Sequence, residues 1–168
     1  MMKPTNNCKR EPQFERFLDL PNLQATEQLA KDISLVTGPG DIIKLKGPIG
    51  AGITSFVRSL LGALGVLEEV PSPPYTLVQT YQLADLTIWH FDLYRIEHPD
   101  EVYELGLEEA ALNGLSLIEW PERIACFLPE NHAELTFRIK GLSQRTATLK
   151  GFGSWGPRLR ETSRFAHG

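Results

Sequence analysis

The stretch that decides the fold is GPIGAGIT, Gly47 to Thr54. It carries the glycines and closing threonine of a phosphate-binding loop written G-x-x-x-x-G-K-[ST], but Ile53 stands where that loop has its lysine. A pattern relaxed to G-x-x-x-x-G-x-[ST] arises by chance in roughly one chain in ten of this length. The flanks therefore carry the reading. DIIKLK upstream reads as a strand, with Lys44 and Lys46 on the same face as Ile42, a face that is solvated near the strand's end. TSFVRSLLGALG downstream places Phe56, Val57, Leu60, Leu61 and Leu64 on one helical stripe, and Gly65 stops it. Between strand and helix, Gly47, Gly50 and Gly52 let the backbone turn its N–H groups inward, the helix start adds its positive dipole end, and the Thr54 hydroxyl is placed to bind Mg²⁺. The alternative is a strand-to-helix turn whose glycines serve tight packing.

Two acidic residues favour the phosphate reading. Asp92 follows the apolar run IWHF and Glu119 closes LSLI. Both are expected at the C-terminal ends of buried strands, the edge of an α/β sheet where such a loop sits. Carboxylates there can hold Mg²⁺ directly or through water, or orient an attacking water. Taken singly, each reads first as a solvated strand end.

The rest of the chain sets the frame. Its 168 residues are the size of one domain, and 42% hydrophobic with 23% charged residues is ordinary for a globular protein. A net charge of −4 argues against a broadly basic nucleic-acid surface, so a connection to RNA would be indirect or local. Cys8 and Cys126 form neither a metal spacing nor a disulfide framework, which fits a reducing cytoplasm. No stretch reaches the ~20 apolar residues of a membrane span, and the polar N-terminus lacks a signal peptide's apolar core.

Residues 1–13 read as a disordered tail, 14–150 as a single domain and 151–168 as a flexible tail. Leu23, Leu29, Ile33 and Val36 mark an amphipathic helix ended by TGPGD. VPSPPYT is a proline-rich loop. YTLVQTYQL and TIWHFDLY form a hairpin turning at Ala84-Asp85, residues 98–112 read as an acidic helix, GLSLIEW as a central strand, and AELTFRIK with RTATLKGF as a second hairpin. Parallel β-α-β order mixed with hairpins predicts a mixed sheet flanked by helices in an α/β domain.

SPPYTLVQTYQL, HFDLYRIEHPDEVYELGLEE and LIEWPER, in that order after the glycine loop, resemble the TsaE (YjeE) family over about residues 23 to 140. That family's motifs read G-D-L-G-A-G-K-T, S-P-T-[FY]-T, H-F-D-L-Y-R and I-E-W-P. The resemblance implies a P-loop NTPase-like fold and a Mg²⁺-dependent ATPase that serves the threonylcarbamoyladenosine modification of tRNA. Its implied partners are a threonylcarbamoyl-transferase subunit (TsaD-like) and that subunit's dimerising partner (TsaB-like), with tRNA engaged only indirectly. It implies ATP or ADP contacts from Gly47, Gly50, Ala51, Gly52, Ile53, Thr54 and Ser55, and Mg²⁺ held by Thr54, Asp92 and Glu119, the two carboxylates being the catalytic pair. Ser72 to Thr76 match a switch-like loop with Thr76 as its best-placed hydroxyl. Trp120 matches a tryptophan of the active region, or else packs at a strand end. Thr26 matches a threonine near the base, or else is a residue of a helix start. His90 reads as a structural histidine.

The departures bear on chemistry. Ile53 replaces the lysine, Pro48 the usual aspartate and Pro74 the threonine of S-P-T. Loss of the lysine removes a charge-assisted contact worth about 1.5–3 kcal/mol in binding and ~10²–10³ in rate. Lys46 and Arg58 are weak candidates to replace it. Two readings follow, an ATPase or a hydrolysis-deficient nucleotide-binding and docking module of the same complex. A metabolite kinase has no acceptor-binding signature here.

Overall fold

Strand β2 (Ile42–Lys46) lies in the middle of a seven-stranded sheet. The computed structural model describes residues 10–68, 77–162 and 165. Around β2 the order is β1 (Phe14–Leu20), β7 (Arg145–Phe152), β6 (His132–Ile139), β2, β5 (Leu115–Glu119), β4 (Thr87–Asp92) and β3 (Val78–Gln82). The four inner strands β6, β2, β5 and β4 are mutually parallel, and antiparallel partners flank them on both sides. The mixed sheet with helices on both faces is the expected α/β architecture, of the P-loop NTPase-like kind.

Alternation explains the two faces. Ile43 and Leu45 of β2 join Leu117, Leu135 and Leu149 beneath α1 (Leu23–Ser34), α2 (Ile53–Leu64) and α5 (Trp155–Arg160), where Leu29, Ile33, Phe56, Leu60 and Trp155 are buried against them. Ile42, Phe91 and Ile118 point the other way, against α3 (Glu101–Glu104), α4 (Leu107–Asn113) and the 3-10 segment Pro121–Phe127. Fully burying one such aliphatic side chain stabilises by about 1.5–3 kcal/mol, so the two layers fix which strand face meets which helices. Lys44 and Lys46 share Ile42's face as expected. Lys46 Nζ lies 3.1 Å from Glu134 Oε1, and burial lowers the Lys44 pKa.

Three expectations change. The sequence reading places its first element at Leu23, whereas Phe14–Leu20 forms β1 and pairs along its whole length with β7. The helix expected over residues 98–112 is two short helices, parted where Gly106 packs against Trp89. The segment read as a flexible tail from 151 begins with the end of β7 and continues as α5, with Trp155 and Leu159 buried in the core. Arg158 fastens α5 by donating to Asp41 Oδ2 (2.7 Å) and the Val36 carbonyl (3.1 Å) while its guanidinium lies over the Trp155 ring. Of the N-terminal tail, residues 1–9 lie outside the described residues.

Candidate functional site

Three consecutive features turn the chain from β2 into α2. Gly47 has φ 151°, and a Cβ there would sit 2.8 Å from the Phe137 carbonyl oxygen, so a side chain would push the loop off β6. The Ala51 N–H closes a turn onto the Pro48 carbonyl at 3.1 Å, which tucks the Ala51 methyl into the core. Gly52 then caps α2 in the left-handed region, φ 104°, with no side chain accepting from the helix's first N–H groups. The first intrahelical bond is Phe56 N–H to Gly52 O at 2.9 Å. The N–H groups of Ile53, Thr54 and Ser55 precede it and have no acceptor within the helix. From outside the loop, Arg145 of β7 donates its Nε–H to the Gly50 carbonyl at 3.0 Å and its Nη1 to carbonyls of the β6–β7 turn.

This turn opens onto a crevice of about 420 Å³. Gly47, Gly50, Gly52, Ile53, Thr54 and Ser55 line one side; Asp92, Glu119 and Trp120 line the other. The structure therefore brings together the loop and both carboxylates, because β4 and β5 run parallel with Asp92 opposite Glu119, on the α2 side of the sheet. Burial raises the Asp92 carboxyl above the usual carboxylate range, and the neighbouring Glu119 adds to it, against the Tyr94 N–H that donates to Asp92 Oδ1 at 3.2 Å. Glu119 Oε2 lies 2.6 Å from Nε2 of the buried His90. An ionised carboxylate can only accept, so Nε2–H is the donor of that bond.

Trp120 adopts φ 57°, ψ 48°, and its ring centroid is 4.8 Å from that of Tyr94. A non-glycine residue in this region costs about 1–2 kcal/mol. Here it turns the chain sharply after Glu119 into the 3-10 segment and sets the indole on the crevice rim.

Two candidate residues are absent from the crevice lining. Ala51 sets a buried methyl beneath the loop, and Thr26 is buried near the start of α1, the helix that Asn22 caps. Thr76 and the rest of the Ser72–Thr76 loop lie outside the described residues. Neither candidate for the lysine's place is well aimed. Arg58 faces water along α2, and the Lys46 ammonium at the crevice edge is engaged by Glu134. Ile53 packs against the core, its Cδ1 3.4 Å from where a Gly47 Cβ would stand. Tyr94 and Arg95, which end the run HFDLYR and to which the sequence reading gives no role, also line the crevice.

The donor chemistry suits Mg²⁺. A threonine hydroxyl and two carboxylates offer oxygen only, and a half-buried carboxyl beside a second one is a pair that a cation would relieve. Among the described residues no group of three His, Cys, Asp or Glu side chains could hold a metal alone. Mg²⁺ here would share its coordination with phosphate oxygens and water, its common mode.

Comparison with known proteins gives a consistent result. The family described as threonylcarbamoyl adenosine biosynthesis protein TsaE matches residues 20–147. The tRNA threonylcarbamoyladenosine biosynthesis protein TsaE of Rickettsia felis is 38% identical over 134 residues, 79% of this chain and 78% of that protein. The Rickettsia conorii protein of the same name is 44% identical over 127 residues, 75% of this chain and 73% of that one. The Bacillus subtilis one is 33% identical over 134 residues, 79% and 84% of the two. The crystal structure of Bacillus subtilis YdiB superposes with a TM-score of 0.76 at 25% identity, covering 95% of this chain and 100% of that one. No helix among the described residues is long and apolar enough to cross a membrane.

Proposed function

The chain belongs to the TsaE family of threonylcarbamoyladenosine biosynthesis proteins, and on that premise we propose that it binds ATP with Mg²⁺ in the crevice at the start of α2 and serves the threonylcarbamoyl-transferase complex that modifies tRNA. The observation that carries the reading is the uncapped start of α2, facing a crevice that also holds Asp92 and Glu119. Loop N–H groups and the helix dipole take the phosphates. The Thr54 hydroxyl and the two carboxylates hold the metal, and a carboxylate orients the attacking water. Bound Mg²⁺ supplies charge neutralisation at the β- and γ-phosphates. The partners are a TsaD-like transferase subunit and its TsaB-like companion, and hydrolysis resets their complex.

Ile53 supports a second reading. Its side chain is apolar and packed against the core, so it offers the γ-phosphate no donor. On this reading the protein is a nucleotide-binding, hydrolysis-deficient docking module of the same complex. Titration with ATP or ADP and Mg²⁺, followed by a steady-state turnover assay, separates the two. The expected result is retained nucleotide affinity, tighter for ADP than for ATP, with slow turnover. Absence of binding to either nucleotide would overturn both readings.

A further inference from the structure

Among the described residues two histidines are buried, and their partners differ. His132 uses Nδ1 against the Pro129 backbone carbonyl at 3.1 Å and stacks on Phe152, which makes it a fixture of the fold. His90 spends its Nε2–H on a crevice carboxylate, Glu119 Oε2, at 2.6 Å. The parallel register makes this possible. Asp92 stands opposite Glu119, and His90, two residues earlier on the same face of β4, reaches diagonally across to β5. His90 is only 7% exposed and is absent from the crevice lining, whereas Glu119 lines it.

We propose that His90 is the positioning residue of this site, clamping one oxygen of Glu119 so that the other is presented to the metal and its water. The proposal rests on the reading of the crevice as a Mg²⁺-nucleotide site. A free glutamate samples many rotamers, and a glutamate held at one oxygen loses most of them before any ligand arrives. The clamp also assigns the two carboxylates different tasks. Asp92, whose Oδ1 accepts from the Tyr94 N–H, stays beside the loop, while Glu119 is fixed in direction from behind. Removing a partner of this kind behind a metal-site carboxylate typically costs 10–100-fold in metal affinity or activity.

The test compares His90→Gln, His90→Asn and His90→Leu with the parent protein. Glutamine can place an amide N–H near the Nε2 position; asparagine is too short and leucine has no donor. Mn²⁺ affinity is read by electron paramagnetic resonance with and without ADP, metal-free ADP binding by a fluorescent analogue, turnover by kcat and KM for ATP, and folding by thermal melting. Expected is a 10–100-fold loss of Mn²⁺ affinity in the Asn and Leu variants, a fall in any measurable kcat with little change in KM, and recovery to within about threefold in the Gln variant. Should His90→Leu fail to fold, the Gln–Asn pair decides. Variants that differ in melting temperature but share the parent's Mn²⁺ affinity would overturn the proposal and leave His90 a structural residue. A parent that binds ADP but no Mn²⁺ would overturn this proposal alone; one that binds neither would overturn the site reading with it.

Discussion

Helices α1 and α2 are both twelve residues long, pack against each other on one face of the sheet, and begin in opposite ways. At α1, Asn22 is extended (φ −155°, ψ 175°) and its Oδ1 accepts from the Ala25 N–H at 3.0 Å. At α2, Gly52 is left-handed and has no side chain to offer. A polar cap of the first kind is worth about 1 kcal/mol. The sequence therefore closes one helix with its own atoms and leaves the other open at a crevice, where an anion can take the same donors. The first arrangement serves stability. The second leaves donors free for the proposed phosphates, beside the two carboxylates proposed to hold a cation.

Ile53→Lys tests the open end most severely. The residue stands in the first turn of α2 and lines the crevice, so a lysine stem can cover the apolar surface that Ile53 covers now while its ammonium reaches toward the phosphates. Turnover is expected to rise ~10²–10³-fold, the scale of one transition-state charge contact, or about 3–4 kcal/mol. ATP affinity is expected to tighten by only about one to two orders of magnitude. Steady-state ATPase rates and ATP titration of both proteins provide the check. If turnover were unchanged while Asp92→Ala abolished it, a cation from elsewhere would already be serving the γ-phosphate, and Arg95 in the crevice wall would be the first to replace.

His132 tests the other half of the comparison, that polar groups closed by the fold act on stability alone. It lies on the sheet face away from α1 and α2, and burial, helped by nearby Lys44, lowers its pKa from 6.5 to about 4. Between those values the unfolded chain holds a proton on this residue and the folded chain does not. Stability therefore falls as pH drops through that window and is level above it. With about 1.4 kcal/mol per pKa unit, the loss reaches about 3 kcal/mol by pH 4. Urea unfolding at about pH 4 and pH 7 should show it, and His132→Gln should flatten that part of the slope. Carboxylates titrate in the same window, so the difference between the two proteins is the quantity to read. Nucleotide affinity at neutral pH should be unchanged in the variant.

What could be read from residue order follows the same division. Local signals sufficed for α2, for both hairpins and for the Ala84-Asp85 turn, where the Leu83 N–H meets the Leu86 carbonyl at 2.8 Å. They also placed Asp92 and Glu119 at strand ends. Strand β1 was missed because Arg16 takes an inward position and Phe17 an exposed one, which breaks the apolar alternation, and its partner β7 lies at the far end of the chain. Helix α5 was missed because GPRLR reads as polar, and its anchors are two residues, Trp155 and Leu159, buried by long-range packing. The His90–Glu119 bond spans 29 positions and depends on the β4–β5 register; the Arg145–Gly50 bond spans 95. Neither has a signature in spacing.

The smallest expected effect sharpens the comparison most, because it acts on the closed helix alone. Asn22→Ala removes the acceptor from the Ala25 N–H at the exposed start of α1. Water can take over that donor, so the loss should be limited to the cap itself, about 1 kcal/mol, and Asn22→Gly should cost only a few tenths. Chemical denaturation of the three proteins measures this. Nucleotide affinity should stay within about twofold of the parent in both variants, since a stability change of this size leaves the folded fraction near unity. A loss of ADP affinity matching the loss of stability would mean that the two helix starts are coupled through the α1–α2 contact, and that the closed end helps to set the geometry of the open one.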